Sequence, residues 1–191
     1  MYKDIIKLII ALVSCPGKTW DMLSKKEESQ EEFFSRFPYP LMGVVAVVAF
    51  VAIFLTRKEF DLQIALKSAI LSLIVTFGGF FATSYLLNEI GVKWLNIAKN
   101  LKLWQRFVGY NSSVMFALNM ILLLLPEFFF LRVLVLYIFY MVWEGAPIYM
   151  GTEEVTRFKF TLSTTACILA IPFIIEHVVV MLMPGLRAAV I

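Results

Sequence analysis

Four polar side chains stand inside otherwise oil-like stretches: Arg132, Glu144, Glu176 and His177. Groups of this kind at membrane depth build proton or ion paths, and they also pair to neutralise one another. Their spacing limits the chemistry open to them. Glu176 and His177 are neighbours, so their side chains leave a helix about 100° apart. With a fourth span from Phe128 to Met150, Arg132 sits roughly 10 Å to one side of its centre and Glu144 roughly 7–8 Å to the other. A fifth span returning from Phe160 brings Glu176 to the depth of Arg132 and leaves it about 13 Å from Glu144 along the membrane normal. The two glutamates therefore form no acid–base dyad. The expectation is an Arg132–Glu176 ion pair, either fixing helix register or serving as a station on a proton or ion path. Glu144 is left with Arg106, Arg157, Tyr110, Asn111 or water. His177, the only histidine, reads as a hydrogen-bonded packing residue.

Other chemistry has no visible footing. There is no phosphate-binding glycine loop, no dinucleotide fingerprint, no H-E-x-x-H and no G-x-S-x-G. One histidine and the distant Cys15 and Cys167 do not make a zinc site of the common types. No metal and no cofactor is expected, and no nucleic-acid partner. Glu153-Glu154 with Arg157 is similar to the paired glutamates of intramembrane glutamate proteases. The arginine is one residue too close, however, and the histidines those enzymes need are missing. These charges read as a solvated turn, and an enzyme is not expected.

The elements that position these groups follow from composition. The 191 residues are 61% hydrophobic and 16% charged, with a mean hydropathy of +0.84. Soluble domains run at about 45–50% apolar and about 25% charged, so the fold class is an all-α polytopic membrane protein. Crossing hydrocarbon takes about 20 apolar residues. Residues 37–56, 68–88 and 107–126 are charge-free or end beside a charge. Residues 128–150 and 160–186 hold only the polar groups above. That predicts five spans, with residues 1–36 ahead of them and a tail over 187–191. Lysine and arginine mark the inner side. Twelve lie on the side of the N-terminal segment and the second-to-third and fourth-to-fifth loops, against five elsewhere, counting Lys67 and Arg132. The N-terminus is placed in the cytoplasm and the C-terminus outside.

Lys3, Asp4, Lys7, Ala11 and Ser14 form a narrow polar stripe on an apolar helix. Such a helix lies in the membrane interface or docks on the bundle. Pro16-Gly17 ends it, and Trp20 follows as a headgroup-level residue. Leu12-Val13-Ser14-Cys15 is similar to a lipoprotein cleavage box, but Asp4 and Lys7 interrupt the leader. In the second span Ser72, Thr76, Gly79 and Thr83, with Ser68, put small residues along one face. Gly43, Ala46 and Ala49 of the first span are a matching surface. Small faces let helices approach closely, within one chain or between copies. Pro172 kinks the fifth span and frees the carbonyl of Ile168.

Three short motifs carry a family resemblance. Pro16-Gly17-Lys18-Thr19-Trp20 is a P-x-x-T-W element just after an apolar helix. Gly145-Ala146-Pro147 lies in the aromatic stretch from Tyr140 to Met150, and Gly109-Tyr110 opens the third span. Together they resemble bacterial YIP-domain proteins, of the Ypt/Rab-interacting-protein clan, over nearly the whole chain; Glu144 departs from the pattern. The resemblance implies five membrane helices, a cytoplasmic N-terminus and no known catalytic activity. Eukaryotic relatives are associated with Rab GTPases, and bacterial ones are inner-membrane proteins.

The functional expectation is a non-enzymatic integral membrane protein of a bacterial inner membrane, organising the bilayer or recruiting proteins. Its partners would be the lipid bilayer, anionic lipid at basic loops from Lys93 to Arg106, other proteins or a second copy. One alternative is a small transporter or channel using Glu144 and Arg132, Glu176 and His177. Another is a lipid-binding protein, suggested by residues 1–14.

Overall fold

A backbone amide inside a bilayer must find its partner within the chain, and helices achieve this segment by segment. The structure is a computed structural model that describes residues 2–56, 61–95 and 97–189. Its order is α1 (Tyr2–Ser14), α2 (Pro16–Ser24), α3 (Gln30–Arg36), α4 (Pro38–Thr56), α5 (Leu62–Trp94) and α6 (Leu101–Leu124). A 3₁₀ segment (Pro126–Leu136), α7 (Tyr137–Met150), α8 (Glu154–Leu182) and a 3₁₀ turn (Pro184–Ala189) follow. Five helical runs are long and apolar enough to cross a membrane: Gln30–Thr56, Leu62–Trp94, Leu101–Leu124, Pro126–Met150 and Glu154–Leu182.

These helices reach further into charged sequence than the apolar stretches suggest. α5 takes in Lys67, Glu89 and Lys93, and α8 starts at Glu154 and stops at Leu182 rather than near 186. Charge-free length measures contact with oil, whereas a helix continues wherever its ends are capped. Asp61 caps α5 by accepting from the amides of Gln63 (2.8 Å) and Ile64 (3.1 Å). Asn100 caps α6 through the amide of Leu103 (3.1 Å). Ser29 and Glu32 form a reciprocal capping box at the start of α3, where the charged turn predicts a short helix. Arg57 and Lys58, two of the charges weighed for orientation, lie outside the described residues.

α5 is central, packing on α4, α6 and α8, while α7 packs on α8, α6 and α2. Small residues meet at these contacts. Ala46, Ala49 and Ala52 of α4 are buried, as are Ser68, Thr76, Gly79 and Thr83 of α5, with Ser72 half-buried. Nothing within 4 Å would meet a Cβ added at Gly43. At Gly79 an added Cβ would come within 2.8 Å of the Pro172 ring. Only glycine lets α5 and α8 touch so closely there.

The helices are not level. The Tyr39 ring stacks on that of Phe77 with centroids 5.6 Å apart, so α4 begins opposite the middle of α5. Beyond Phe80, α5 therefore continues for about 20 Å past the start of α4. That end also carries Lys93, Lys102, Arg106, Arg157 and Lys159, and is the basic end. Trp104 is fully buried there, against Gly91 and stacked on Phe160 at 5.6 Å. α2 and α3 fill the space α4 leaves. Lys99 pairs with Glu89 at 2.5 Å and closes the turn between α5 and α6.

α1 docks on the bundle, burying Ile5 and Leu12 and receiving a hydrogen bond from the Tyr137 hydroxyl to the Val13 carbonyl (2.6 Å). Its Lys3, Asp4 and Lys7 are exposed, and so are Tyr2, Ile6 and Ile10.

Candidate functional site

The α1–α2 joint is where the first motif sits. Pro16 takes the first turn of α2, where its missing amide costs nothing. The Thr19 hydroxyl donates back to the carbonyls of Ala11 (3.0 Å) and Cys15 (2.9 Å), tying α2 to the last turn of α1. This orientation drives Trp20 into the bundle. Trp20 is fully buried among protein side chains. A buried indole N–H usually finds a partner, and that of Trp20 donates to the Met141 carbonyl of α7 at 3.0 Å. Its ring packs on Phe107 (4.9 Å), Tyr149 (5.2 Å) and Tyr110 (6.0 Å).

The second motif is what Trp20 packs against. A Cβ on Gly145 would lie 2.6 Å from Trp20 Cε2 and 2.8 Å from Phe107 Cε2. Pro147, inside α7, cannot donate to the Trp143 carbonyl four residues earlier. Arg157 from α8 does so instead, through Nε (3.1 Å) and Nη2 (3.0 Å). Its guanidinium also lies 4.3 Å from the centroid of the Trp143 ring. Arg157 is thus not a solvated loop charge; its side chain is 16% exposed, because the proline one helix away leaves a carbonyl that needs a donor.

The same arginine is the partner of Glu144, with Nη2 3.9 Å from Oε1. Glu144 Oε2 lies 3.0 Å from where a Cβ on Gly17 would be, so α2 passes directly over this carboxylate. Glu144 also lies nearer the basic end than an all-α span implies. The 3₁₀ segment rises about 2.0 Å per residue rather than about 1.5 Å, which lengthens the outer half of the span.

Arg132 and Glu176 do not pair. Arg132 is exposed on the 3₁₀ segment, which packs on α6 and α7, and no ion pair joins the two among the described residues. The fourth and fifth spans pack along α7, and the outer segment leans towards α6 instead. His177 is exposed, bonds through Nδ1 to the Phe173 carbonyl at 2.9 Å and packs tilted against the Phe173 ring with centroids 4.0 Å apart. The four polar groups at membrane depth are thus not one site: Glu144 joins Arg157 at the basic end, and the other three stay apart.

A polar cluster that sequence reasoning missed centres on Glu28. Its carboxylate accepts from the Tyr110 hydroxyl (3.0 Å) and pairs with Lys26 (2.5 Å). Arg106 donates to the Glu28 carbonyl and to the Gln30 side chain (3.2 Å). Gln30 in turn donates to Gln105 at 2.9 Å. The signal available was Gly109-Tyr110. A Cβ on Gly109 would meet Phe33 at 2.9 Å, and that contact seats α3 and the turn before it over Tyr110. Among the described residues, no group of three acidic, histidine or cysteine side chains is placed to hold a metal ion.

All three motifs thus converge on one aromatic knot at the basic end, made from α2, α3, α6 and α7. The family model of the Yip1 domain matches residues 10–185. The chain belongs to the Yip1 domain family. Neither a curated protein nor a solved structure gives a significant match. The Yip1 domain here is an integral membrane protein whose apolar helices contact lipid, and its match begins inside α1. Residues 2–9, which supply most of α1, precede it.

Proposed function

We propose that this Yip1 domain organises a bacterial inner membrane or recruits proteins to it, without catalysis, through a basic end that faces the cytoplasm. The observation that carries this reading is the projection of α5 and α6 past the start of α4. At its tip Trp94 is 79% exposed, beside Lys93 and near Lys99 and Lys102. An exposed aromatic among cations is the composition of a contact surface for proteins or anionic headgroups. The aromatic knot of Trp20, Phe107, Tyr110 and Tyr149 fills the middle of this end with side chains, which suits a platform better than a passage. A photo-crosslinker replacing Trp94 in native membranes tests the reading. Reproducible capture of one protein, or of anionic over zwitterionic lipid, is the expected result. Capture of neither overturns it. The orientation is checked separately by a C-terminal tag, which must be reachable from the face of the membrane opposite the cytoplasm.

A small transporter or channel remains a second reading because of one observation. Thr83, Asn88, Asn111, Thr161, Thr164 and Thr165 have side-chain oxygens buried with no protein partner, and buried polar atoms call for one. Proteoliposome flux of Glu144→Gln and Glu176→Gln decides it: flux unchanged by either variant, or absent from the parent, removes the idea.

A further inference from the structure

Trp20 and Trp104 are both fully buried at the basic end, yet they meet the same demand differently. Trp20 gives its N–H to the Met141 carbonyl. The N–H of Trp104 has no acceptor among the described residues. A bare buried donor carries the full desolvation cost of its group, so this one calls for a partner from outside the chain.

Complementary groups lie within one helical turn. The Trp104 ring rests against α5, with Nε1 3.3 Å from where a Cβ on Gly91 would be. It also stacks on Phe160 of α8, with centroids 5.6 Å apart. Gly91, Trp104 and Phe160 therefore share one level. Asn88 stands one turn along α5 from Gly91, about 4.5 Å further from the basic end. Thr164 stands one turn along α8 from Phe160, about 6 Å in the same direction. Asn88 is 2% exposed and Thr164 not at all. Asn88 Oδ1 and Thr164 Oγ1 also have no partner among the described residues. Three helices thus bring one orphaned donor and two orphaned oxygens to nearly the same depth.

The chemistry of the set selects the occupant. It must accept from an indole N–H and donate to an amide oxygen. A metal cation cannot accept, chloride cannot donate, and none of the three side chains is ionised to attract either. Water does both, and the threonine hydroxyl brings its bonds to three, the usual number for a buried water.

We infer that an internal water bridges Trp104 Nε1, Asn88 Oδ1 and Thr164 Oγ1, joining α5, α6 and α8 at the basic end. The inference shares two oxygens with the transport reading but does not rest on flux. A parent protein that transports nothing leaves the water in place.

The test is water-to-protein NOE and ROE spectroscopy of the full chain in nanodiscs, with ¹⁵N-labelled tryptophan. The four indoles give four signals, and Trp104→Phe identifies its own. Trp20, bonded directly to a carbonyl, is the dry reference, and the exposed Trp94 is the bulk-water reference. The Trp104 N–H should show a water cross-peak with NOE and ROE of opposite sign, the mark of a long-lived water, and Trp20 should show none. Asn88→Leu and the near-isosteric Thr164→Val each remove one anchor and should abolish that peak. An unmoved Trp20 signal shows that a variant is folded; where Asn88→Leu moves it, Thr164→Val carries the comparison. A wild-type Trp104 without the peak, or a folded variant with wild-type intensity, overturns the inference.

Discussion

Replacing Gly145 by alanine adds one methyl group and should unsettle the whole basic end. The new Cβ would lie 2.6 Å from Trp20 Cε2, 2.8 Å from Trp20 Nε1 and 2.8 Å from Phe107 Cε2. These are rigid rings with no exposure, so they cannot swing aside as a flexible chain end would. Overpacking of this kind costs about 1–3 kcal/mol. Moving the indole also breaks its bond to the Met141 carbonyl and strands a buried N–H, which costs about 1–3 kcal/mol more. Alanine recovers about 1 kcal/mol of helix propensity over glycine. The net loss is about 1–5 kcal/mol, read as a shift in equilibrium unfolding in mixed micelles. The decisive comparison is the same substitution on a Trp20→Ala background. There Phe107 can relax into the vacated space, so Gly145→Ala should cost less than about 0.5 kcal/mol, leaving a coupling of about 0.5–5 kcal/mol, the difference between the two backgrounds. An equal loss on both backgrounds would refute the steric account of the knot.

Arg157→Gln should destabilise the wild type by about 1–3 kcal/mol, since it strands the Trp143 carbonyl. On a Pro147→Ala background the restored amide serves that carbonyl, and the same micelle titration should show a smaller loss. Gly79→Val drives a side chain into Pro172 and should cost about 1–3 kcal/mol, with partial relief from Pro172→Ala as the check. Arg132→Gln and Glu176→Gln should be additive to within about 0.5 kcal/mol; a clear coupling in the double-mutant cycle would restore the ion pair that the structure lacks.

Which helices exist was legible because hydrocarbon demands long charge-free runs, and the run from Phe37 to Thr56 has no other reading. Helix ends were less legible, since Asp61 and Asn100 cap α5 and α6 outside the oil, where hydropathy carries no signal. Pro16, Thr19, Trp20, Gly145 and Pro147 could be singled out by type, but their meeting is a long-range fact. Nothing local to Trp20 says that it faces Gly145. Depth arithmetic placed Arg132 and Glu176 at one level, yet level is only one coordinate. The lean of the 3₁₀ segment towards α6 supplied the other. Arg157 was misread for a related reason. A freed carbonyl at Trp143 follows from Pro147, but which donor reaches it depends on how α7 and α8 pack.

The bond from Trp20 to Met141 spans 121 residues, and this has a consequence for biogenesis. Ribosomes add about 5–20 residues per second, so the indole emerges roughly 6–24 s before the carbonyl that will receive it. During that interval the newborn amino-terminal segment has no berth in a finished bundle. A chain arrested after its third crossing should leave Trp20 open to quenchers or insertion chaperones. Completion of the fourth crossing then becomes the moment at which the head of the polypeptide is locked down.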